Sequence, residues 1–350
     1  MISKILSTAT ALPRYSFSQE DSLAYVEKWV QNLPDRERRK ILKIFQFAQV
    51  DKRYTVRDMD QMLRGESFQE PNNLYIEEAI RLGEIALKKA LDKAGLKPED
   101  LDYIITTSCT GFMIPSVDAY LINKLRMRQD IIRLPVTEMG CAAGTSALIY
   151  AHDLLKAQPH KRAAILAIEF PSCTLVREDL TMTNIVSTAI FGDGVACTIL
   201  GPSEELKPAI VGTEMFHFYD AIDMMGYDVR NTGYHMVLDR SVPERIEAHF
   251  DDILFPFLAK NNVSIEDINH LIFHPGGKKI IRMVEKLLHQ LGKNIEDTKA
   301  VLREYGNMSS ATVLYVLERF LDKKIPQGDY GLMLSFGPGF SAQRLLIQWQ

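Results

Sequence analysis

The chain has 350 residues, 46% of them hydrophobic and 25% charged, with a net charge of −4. That length holds two ordinary domains or one large duplicated unit, and the composition allows a full-sized core. The charge gives no global pull toward nucleic acid, and no apolar run approaches the roughly 20 residues of a membrane span.

The opening MISKILSTATALPRY has one lysine and a short apolar run broken by Ser and Thr, so it does not read as a secretory signal. The segment RERRKILK from Arg36 reads as a basic helix. Most such runs are solvated faces, but Lys40 and Lys43 can meet phosphates. LKPEDLDYIITT from Leu96 predicts an acidic turn and then a buried strand. In LPVTEMGCAAGTSAL an apolar strand ends, Gly140 permits a tight turn, and a small-residue helix begins at Cys141. The buried strand AAILAIEF follows from Ala163, then an insert over 171–190, then FGDGVACTIL from Phe191. Its Gly192-Asp193-Gly194 reads as a turn, too short for a dinucleotide fingerprint. Four cysteines, Cys109, Cys141, Cys173 and Cys197, form no CxxC pair, which points to reduced thiols, no metal site and a cytoplasmic location.

The rest of the chain repeats this order. VSIEDINHLIFH from Val263 matches LKPEDLDYIITT, 167 positions on. EYGNMSSATV pairs Gly306-Asn307 with Gly140-Cys141, 166 positions on. A helical segment and two strands, YGLMLSF from Tyr330 and FGPGFSAQRLLI from Phe336, complete the match. Ordered matches at a near-constant offset predict an α/β chain of two duplicated halves, residues 1–203 and 204–350. A second insert, about 216–245, precedes the strand that ends in His274. Inserts on duplicated scaffolds tend to carry specificity loops.

Three side chains converge through this symmetry. Cys141 at a helix N-terminus should feel the positive end of the dipole, which favours the thiolate. His274 is delivered by a strand and stopped by Pro275-Gly276-Gly277, where Gly276 and Gly277 let the backbone come close to a ligand. Asn307, the counterpart of Cys141, should sit across a pseudo-twofold axis from it. Singly, each has a plain packing role. Together they suit acyl transfer with decarboxylation: a thiolate takes an acyl group, and imidazole and amide donors stabilise an enolate. A cysteine protease uses the same residue types differently, so types alone do not decide.

GCAAG around Cys141, FHPGG around His274, YGNMSSA around Asn307 and FGPGF at 336–340 resemble the type III polyketide synthases, the chalcone-synthase-like enzymes. The resemblance covers essentially the whole chain. It implies a thiolase fold, with two αβαβα halves packed as a five-layered unit, and a homodimer. It implies that a starter acyl group moves from an acyl-CoA to Cys141. Malonyl-CoA is then decarboxylated beside His274 and Asn307, and extension repeats until an aromatic ring or pyrone forms. No cofactor is implied beyond the coenzyme A thioesters. Phe191 falls at the gatekeeper position, and Tyr234 falls where a second gatekeeper Phe is common. Gly337, Pro338 and Gly339 read by themselves as either a structural hairpin or a cavity wall, and the resemblance implies a cavity loop. Lys40 and Lys43, with Gly276 and Gly277, fall at coenzyme A positions, while a third basic position is Phe47. Cys109 occupies a cavity position that bacterial tetrahydroxynaphthalene and phloroglucinol synthases, and some enzymes using long acyl starters, also fill with Cys. The Ile114-Pro115 loop resembles one that reaches across the dimer, and Cys173 is a further candidate for the cavity wall.

Two other readings stay open. A single-condensation β-ketoacyl-carrier-protein synthase of the initiating type shares the Cys–His–Asn set. It usually has a His-Gln-Ala-Asn-like stretch at the HPGG position and lacks FGPGF. A non-catalytic partner subunit would be expected to have lost at least one of Cys141, His274 and Asn307.

Overall fold

The computed structural model describes residues 3–64 and 67–350. The first half contains β1 (Lys4–Ala11), β2 (Tyr15–Ser18), α1 (Gln19–Trp29), α2 (Asp35–Gln46), β3 (Lys52–Thr55), α3 (Met59–Leu63) and α4 (Gln69–Ala94). It continues with β4 (Tyr103–Ser108), α5 (Val117–Leu125), β5 (Ile132–Thr137), α6 (Ala143–Ala157), β6 (Ala163–Glu169), α7 (Met182–Ile190) and β7 (Gly194–Gly201). The second half contains β8 (Pro208–His217), β9 (Met225–Arg230), β10 (Gly233–Leu238), α8 (Val242–Lys260), β11 (Ile268–Phe273) and α9 (Lys278–Gln290). It ends with α10 (Glu296–Tyr305), α11 (Thr312–Leu321), β12 (Tyr330–Gly337) and β13 (Ser341–Trp349).

Among the described residues, nine strands form one sheet in the order β11-β12-β13-β8-β1-β7-β6-β4-β5. The order is nearly a palindrome. β4 runs parallel to β6 and β6 antiparallel to β7; likewise β11 runs parallel to β12 and β12 antiparallel to β13. The halves meet at β1 and β8, through the single registered pair Lys4–Ala209. β5 has no counterpart and leaves an open edge.

Strand alternation explains the layers. Along β6, Ala163, Ile165 and Ala167 face one apolar cluster, while Ala164, Leu166 and Ile168 face another. Along β12, Met333 faces the first cluster, and Leu332 and Leu334 face a third. Period-2 patterning with apolar side chains on both faces is what a strand needs when helices cover both sides. The shared cluster is filled by α6 and α11, with Leu148 and Leu314 fully buried. α4 covers the outer face of the first half and α8 and α9 that of the second. Helices and the two wings of the sheet thus stack in five layers, as the resemblance implied.

The two inserts fold against each other. The first forms a short turn and α7; the second forms the β9–β10 hairpin, and α7 packs on β10. Among the described residues, no helix is long and apolar enough to cross a membrane.

One contact fixes how the halves meet. A Cβ on Gly144, in the first turn of α6, would overlap the carbonyl oxygen of Ser310 at the entrance to α11. Only glycine lets these two helix starts approach so closely. Gly144→Ala should therefore part them and destabilise the protein by about 1–3 kcal/mol, the range for an overpacked core. Thermal unfolding checks this: an unchanged melting temperature would mean the two turns are free to separate.

Candidate active site

Where α6 and α11 begin, a cavity of about 810 Å³ opens. It lies in the range of small-molecule sites. Cys141, His274, Asn307, Phe191, Tyr234, Cys109, Gly276 and Pro338 all line it.

Cys141 sits in a 3-10 turn, Gly140–Ala142, that leads into α6. Gly140 has φ +50°, which favours glycine, and a Cβ there would meet Pro338 at 2.6 Å. Gly337 is packed so tightly that a Cβ on it would stand 2.5 Å from the Ala142 Cβ. The FGPGF loop is thus both a strand connection and a buttress under the nucleophile, with Gly339 (φ +122°) at its turn. Asn307 is placed differently from the symmetry expectation. α11 begins at Thr312, five residues after Asn307, whereas α6 begins two residues after Cys141. Asn307 instead pairs in a parallel β-bridge with Phe191.

The Asn307 side chain is fully oriented. Its Oδ1 accepts from Ser309 N–H at 2.8 Å and from Thr312 Oγ1 at 3.3 Å, and its Nδ2 donates to Gly276 O at 3.0 Å. The amide nitrogen therefore has a second N–H to offer a ligand. Gly276 has φ +52° and holds this carbonyl. Its visible task is positioning Asn307, and Gly277 caps α9.

His274 is 2% exposed, and neither ring nitrogen has a hydrogen-bond partner within the described chain. Unpaired imidazole nitrogens in a buried site call for a ligand to complete them. Burial pushes the His274 pKa down to about 3, so the ring is neutral.

Cys141 corrects the expectation of a ready-made thiolate. Burial pushes its thiol up to about 12, against opposing hydrogen bonds from Ser309 and Asn307. Desolvation outweighs the helix end because the thiol lies in the turn before the helix and inside the cavity. The resting pair is neutral thiol and neutral imidazole. Both groups line the same cavity.

Three residues not singled out from the sequence, Ser309, Glu169 and Tyr227, complete the site. Ser309 adopts φ +46° and brings its hydroxyl to both thiols, 3.6 Å from Cys141 Sγ and 3.4 Å from Cys109 Sγ. A buried non-glycine residue in this region is strained, and such strain gathers at functional sites. Glu169, fully buried at the end of β6, accepts from Cys109 N–H (3.1 Å) and Thr110 Oγ1 (2.9 Å), and burial lifts its carboxyl to about 7. The Cys109 thiol lies 3.5 Å from this carboxylate and is pushed well up by burial first and by Glu169 second. Tyr227 packs edge-on against Tyr234, with centroids 5.5 Å apart, and both line the cavity.

Lys40 and Lys43 are exposed on α2 and do not line the cavity. Lys278, absent from the expected set, ties the end of α2 to the start of α9: its Nζ donates to Phe47 O at 2.9 Å and lies 5.3 Å above the Phe47 ring. Cys173 is buried in the outer core of the first half, away from the main cavity. The Ile114–Pro115 bond is cis, and both residues line the cavity mouth.

A duplicated five-layer fold with a Cys, a His and an Asn gathered in one central cavity defines a thiolase-fold condensing enzyme. Residues 2–204 match the N-terminal domain of chalcone and stilbene synthases and residues 218–349 the C-terminal domain, and the chain belongs to this family, the type III polyketide synthases. It is 31% identical to a 1,3,6,8-tetrahydroxynaphthalene synthase of Streptomyces peucetius, over 99% of this chain and 93% of that one. It is 29% identical to the phloroglucinol synthase of Pseudomonas fluorescens, over 96% of both chains. The crystal structure of 1,3,6,8-tetrahydroxynaphthalene synthase from Streptomyces coelicolor, a bacterial type III polyketide synthase, superposes with a TM-score of 0.93 at 29% identity, covering 99% of each chain.

The neutral pair has a measurable signature. Alkylation of Cys141 by iodoacetamide should be slower at pH 7 than that of a free thiol, and should rise about tenfold per pH unit through the alkaline range. A rate that levels off below pH 7 would show that thiolate and imidazolium form together in the empty site.

Proposed function

We propose that the cavity loads an acyl starter on Cys141 and extends it with malonyl-CoA, with His274 and Asn307 as the decarboxylation donors. The observation that carries this is the oriented Asn307 amide beside an unpartnered His274 in the same cavity as Cys141. In the first step Cys141 Sγ attacks the acyl-CoA carbonyl, His274 takes the thiol proton, and coenzyme A leaves with a proton. Malonyl-CoA then places its thioester oxygen against Asn307 Nδ2–H and an imidazole N–H. Carbon dioxide leaves, and the electron pair becomes an enolate stabilised by those two donors. The enolate carbon attacks the Cys141 thioester, a C–C bond forms, and the Cys141 thiolate departs. The extended chain returns to Cys141 from coenzyme A for the next round. No cofactor beyond the thioesters takes part.

Phe191 and Tyr234 act as the gate. With Tyr227 and Met236 they line both the main cavity and a narrow slot beyond it. The apolar walls and the cavity's size suit a growing chain of several two-carbon units, and the relatives point to a polyhydroxylated aromatic product. Lys40, Lys43 and Lys278 supply cations for the coenzyme A phosphates. The working form is a homodimer in the cytoplasm. The open edge of β5 and the exposed apolar residues Phe112, Ile114 and Ile132 support the dimer. Four cysteines without a disulfide suit a reducing compartment.

Intact-protein mass spectrometry after incubation with acyl-CoAs should show the acyl adduct on the native chain and none on Cys141→Ala. Retained product formation by that variant would remove Cys141 from the mechanism. Asn307→Ala should slow malonyl-CoA decarboxylation by roughly 100- to 1,000-fold, the usual cost of losing an oxyanion donor. Condensation from a malonyl carrier protein but from no coenzyme A ester would favour the β-ketoacyl synthase reading.

A further inference from the structure

The end of α7 shows how the gate is held. The last four carbonyls of a helix have no partners inside it. Here each finds one. Phe191 N–H closes on Ser187 O at 2.9 Å. Arg53, on β3, donates Nη1 to Thr188 O at 2.7 Å and Nη2 to Ala189 O at 2.9 Å. Asn307 N–H donates to Ile190 O at 2.8 Å. One arginine and one residue of the decarboxylating set thus complete the helix end, and the residue that follows it is Phe191.

The arrangement continues past the helix. Arg53 Nη1 also reaches Phe191 O at 3.2 Å, and Gly192 N–H donates to Asn307 O at 3.0 Å. β3 is itself anchored: Tyr54 O accepts from Asp193 N–H at 2.8 Å, and the Tyr54 ring stacks on Tyr305 at the end of α10. A Cβ on Gly192 would overlap the Tyr305 carbonyl, so the segment has no room to slide.

Arg53 is 7% exposed and has no carboxylate partner among the described residues. A buried cation without a counter-ion is costly. Carbonyls at the negative end of a helix are what offset that cost here. A neutral side chain of the same bulk would have filled the space more cheaply, so the charge and the fork are what the site requires.

We propose that Arg53 is a positioning residue that clamps the end of α7 and thereby sets the Phe191 ring and the Asn307 backbone relative to Cys141. The proposal rests on the reading of Phe191 as gate and Asn307 as decarboxylation donor. Arg53 lines the narrow slot beyond the gate and not the main cavity that holds Cys141. It acts by preventing the 190–192 segment from shifting as the chain lengthens behind the gate. Loosening it leaves Cys141 able to accept a starter but lets intermediates escape before the last extension.

The test compares the native enzyme with Arg53→Lys, Arg53→Met, Phe191→Ala and Arg53→Lys/Phe191→Ala. Lysine keeps the cation and a long stem but lacks the planar fork that spans two successive carbonyls. It therefore carries the test should Arg53→Met not fold. Two quantities are read: acylation of Cys141 by an acyl-CoA, and the ratio of short, early-released pyrones to full-length product by liquid chromatography and mass spectrometry. Acylation in Arg53→Lys should stay near the native rate while the short-product ratio rises several-fold. Phe191→Ala should give a similar rise, and the double variant should not exceed it, since both changes act through one element. A native ratio in Arg53→Lys, even with a lowered melting temperature, would make Arg53 a purely structural cap and overturn the proposal. So would a double variant whose ratio is the product of the two single effects. Absence of any acyl adduct on the native enzyme would instead overturn the synthase reading, and the proposal with it.

Discussion

The whole site hangs on the close approach of two helix starts across the pseudo-twofold axis. Gly144 against the Ser310 carbonyl brings the turn of Cys141 within reach of the segment 307–309. Every other relation follows from it. Ser309 reaches both thiols, Asn307 enters the cavity, and the FGPGF loop closes behind Ala142. The glycine is small because the chemistry needs groups from both halves at one point, and a duplicated fold supplies that point only at its axis. Away from that contact, further along α6 and α11, the central layer is filled by large side chains such as Leu148, Leu314 and Phe320.

Burial sets the electrostatics of that point. A cavity that excludes water makes every isolated charge unfavourable, which lifts Cys141, Cys109 and Glu169 and depresses His274. The consequence is that Cys141 and His274 are held neutral among hydrogen-bond donors. That suits a reaction in which negative charge appears only fleetingly, first on sulfur and then on an enolate oxygen. A permanent cation aimed at the thioester would bind the malonyl carboxylate as well and oppose its loss. Neutral donors stabilise the enolate without that penalty.

Much of this was legible in the chain, for physical reasons. The duplication shows because two-sided strands such as AAILAIEF must be almost wholly apolar, and because matched turns need matched acidic and glycine residues. Cys141 and Asn307 show because each follows a glycine that a sharp backbone turn requires, and His274 because Pro275-Gly276-Gly277 stops its strand. What stayed hidden depends on long-range approach. Ser309, Glu169, Tyr227 and Arg53 lie in unremarkable local sequence, and only the fold brings them to the cavity or its rim. The thiolate expectation failed for the same reason. A helix-end argument reads local sequence, whereas desolvation depends on everything packed around the turn. The offset of Asn307 from its helix was hidden too, because a β-bridge to Phe191 cannot be inferred from repeat spacing.

That β-bridge also explains why the inserts lie where they do. The first insert ends in α7, and its final carbonyl is completed by Asn307 itself. The second packs its β10 strand against α7 and places Tyr227 and Tyr234 beside Phe191. Variation in either insert can reshape the wall without disturbing Cys141, which is buttressed from the opposite side by Pro338 and Gly337. Variation at the junction residues 190–192 has no such freedom, because that backbone is bonded to the backbone of Asn307. The scaffold thus separates what can change, the shape and length of the cavity, from what cannot, the distance between an enolate and the thioester it attacks.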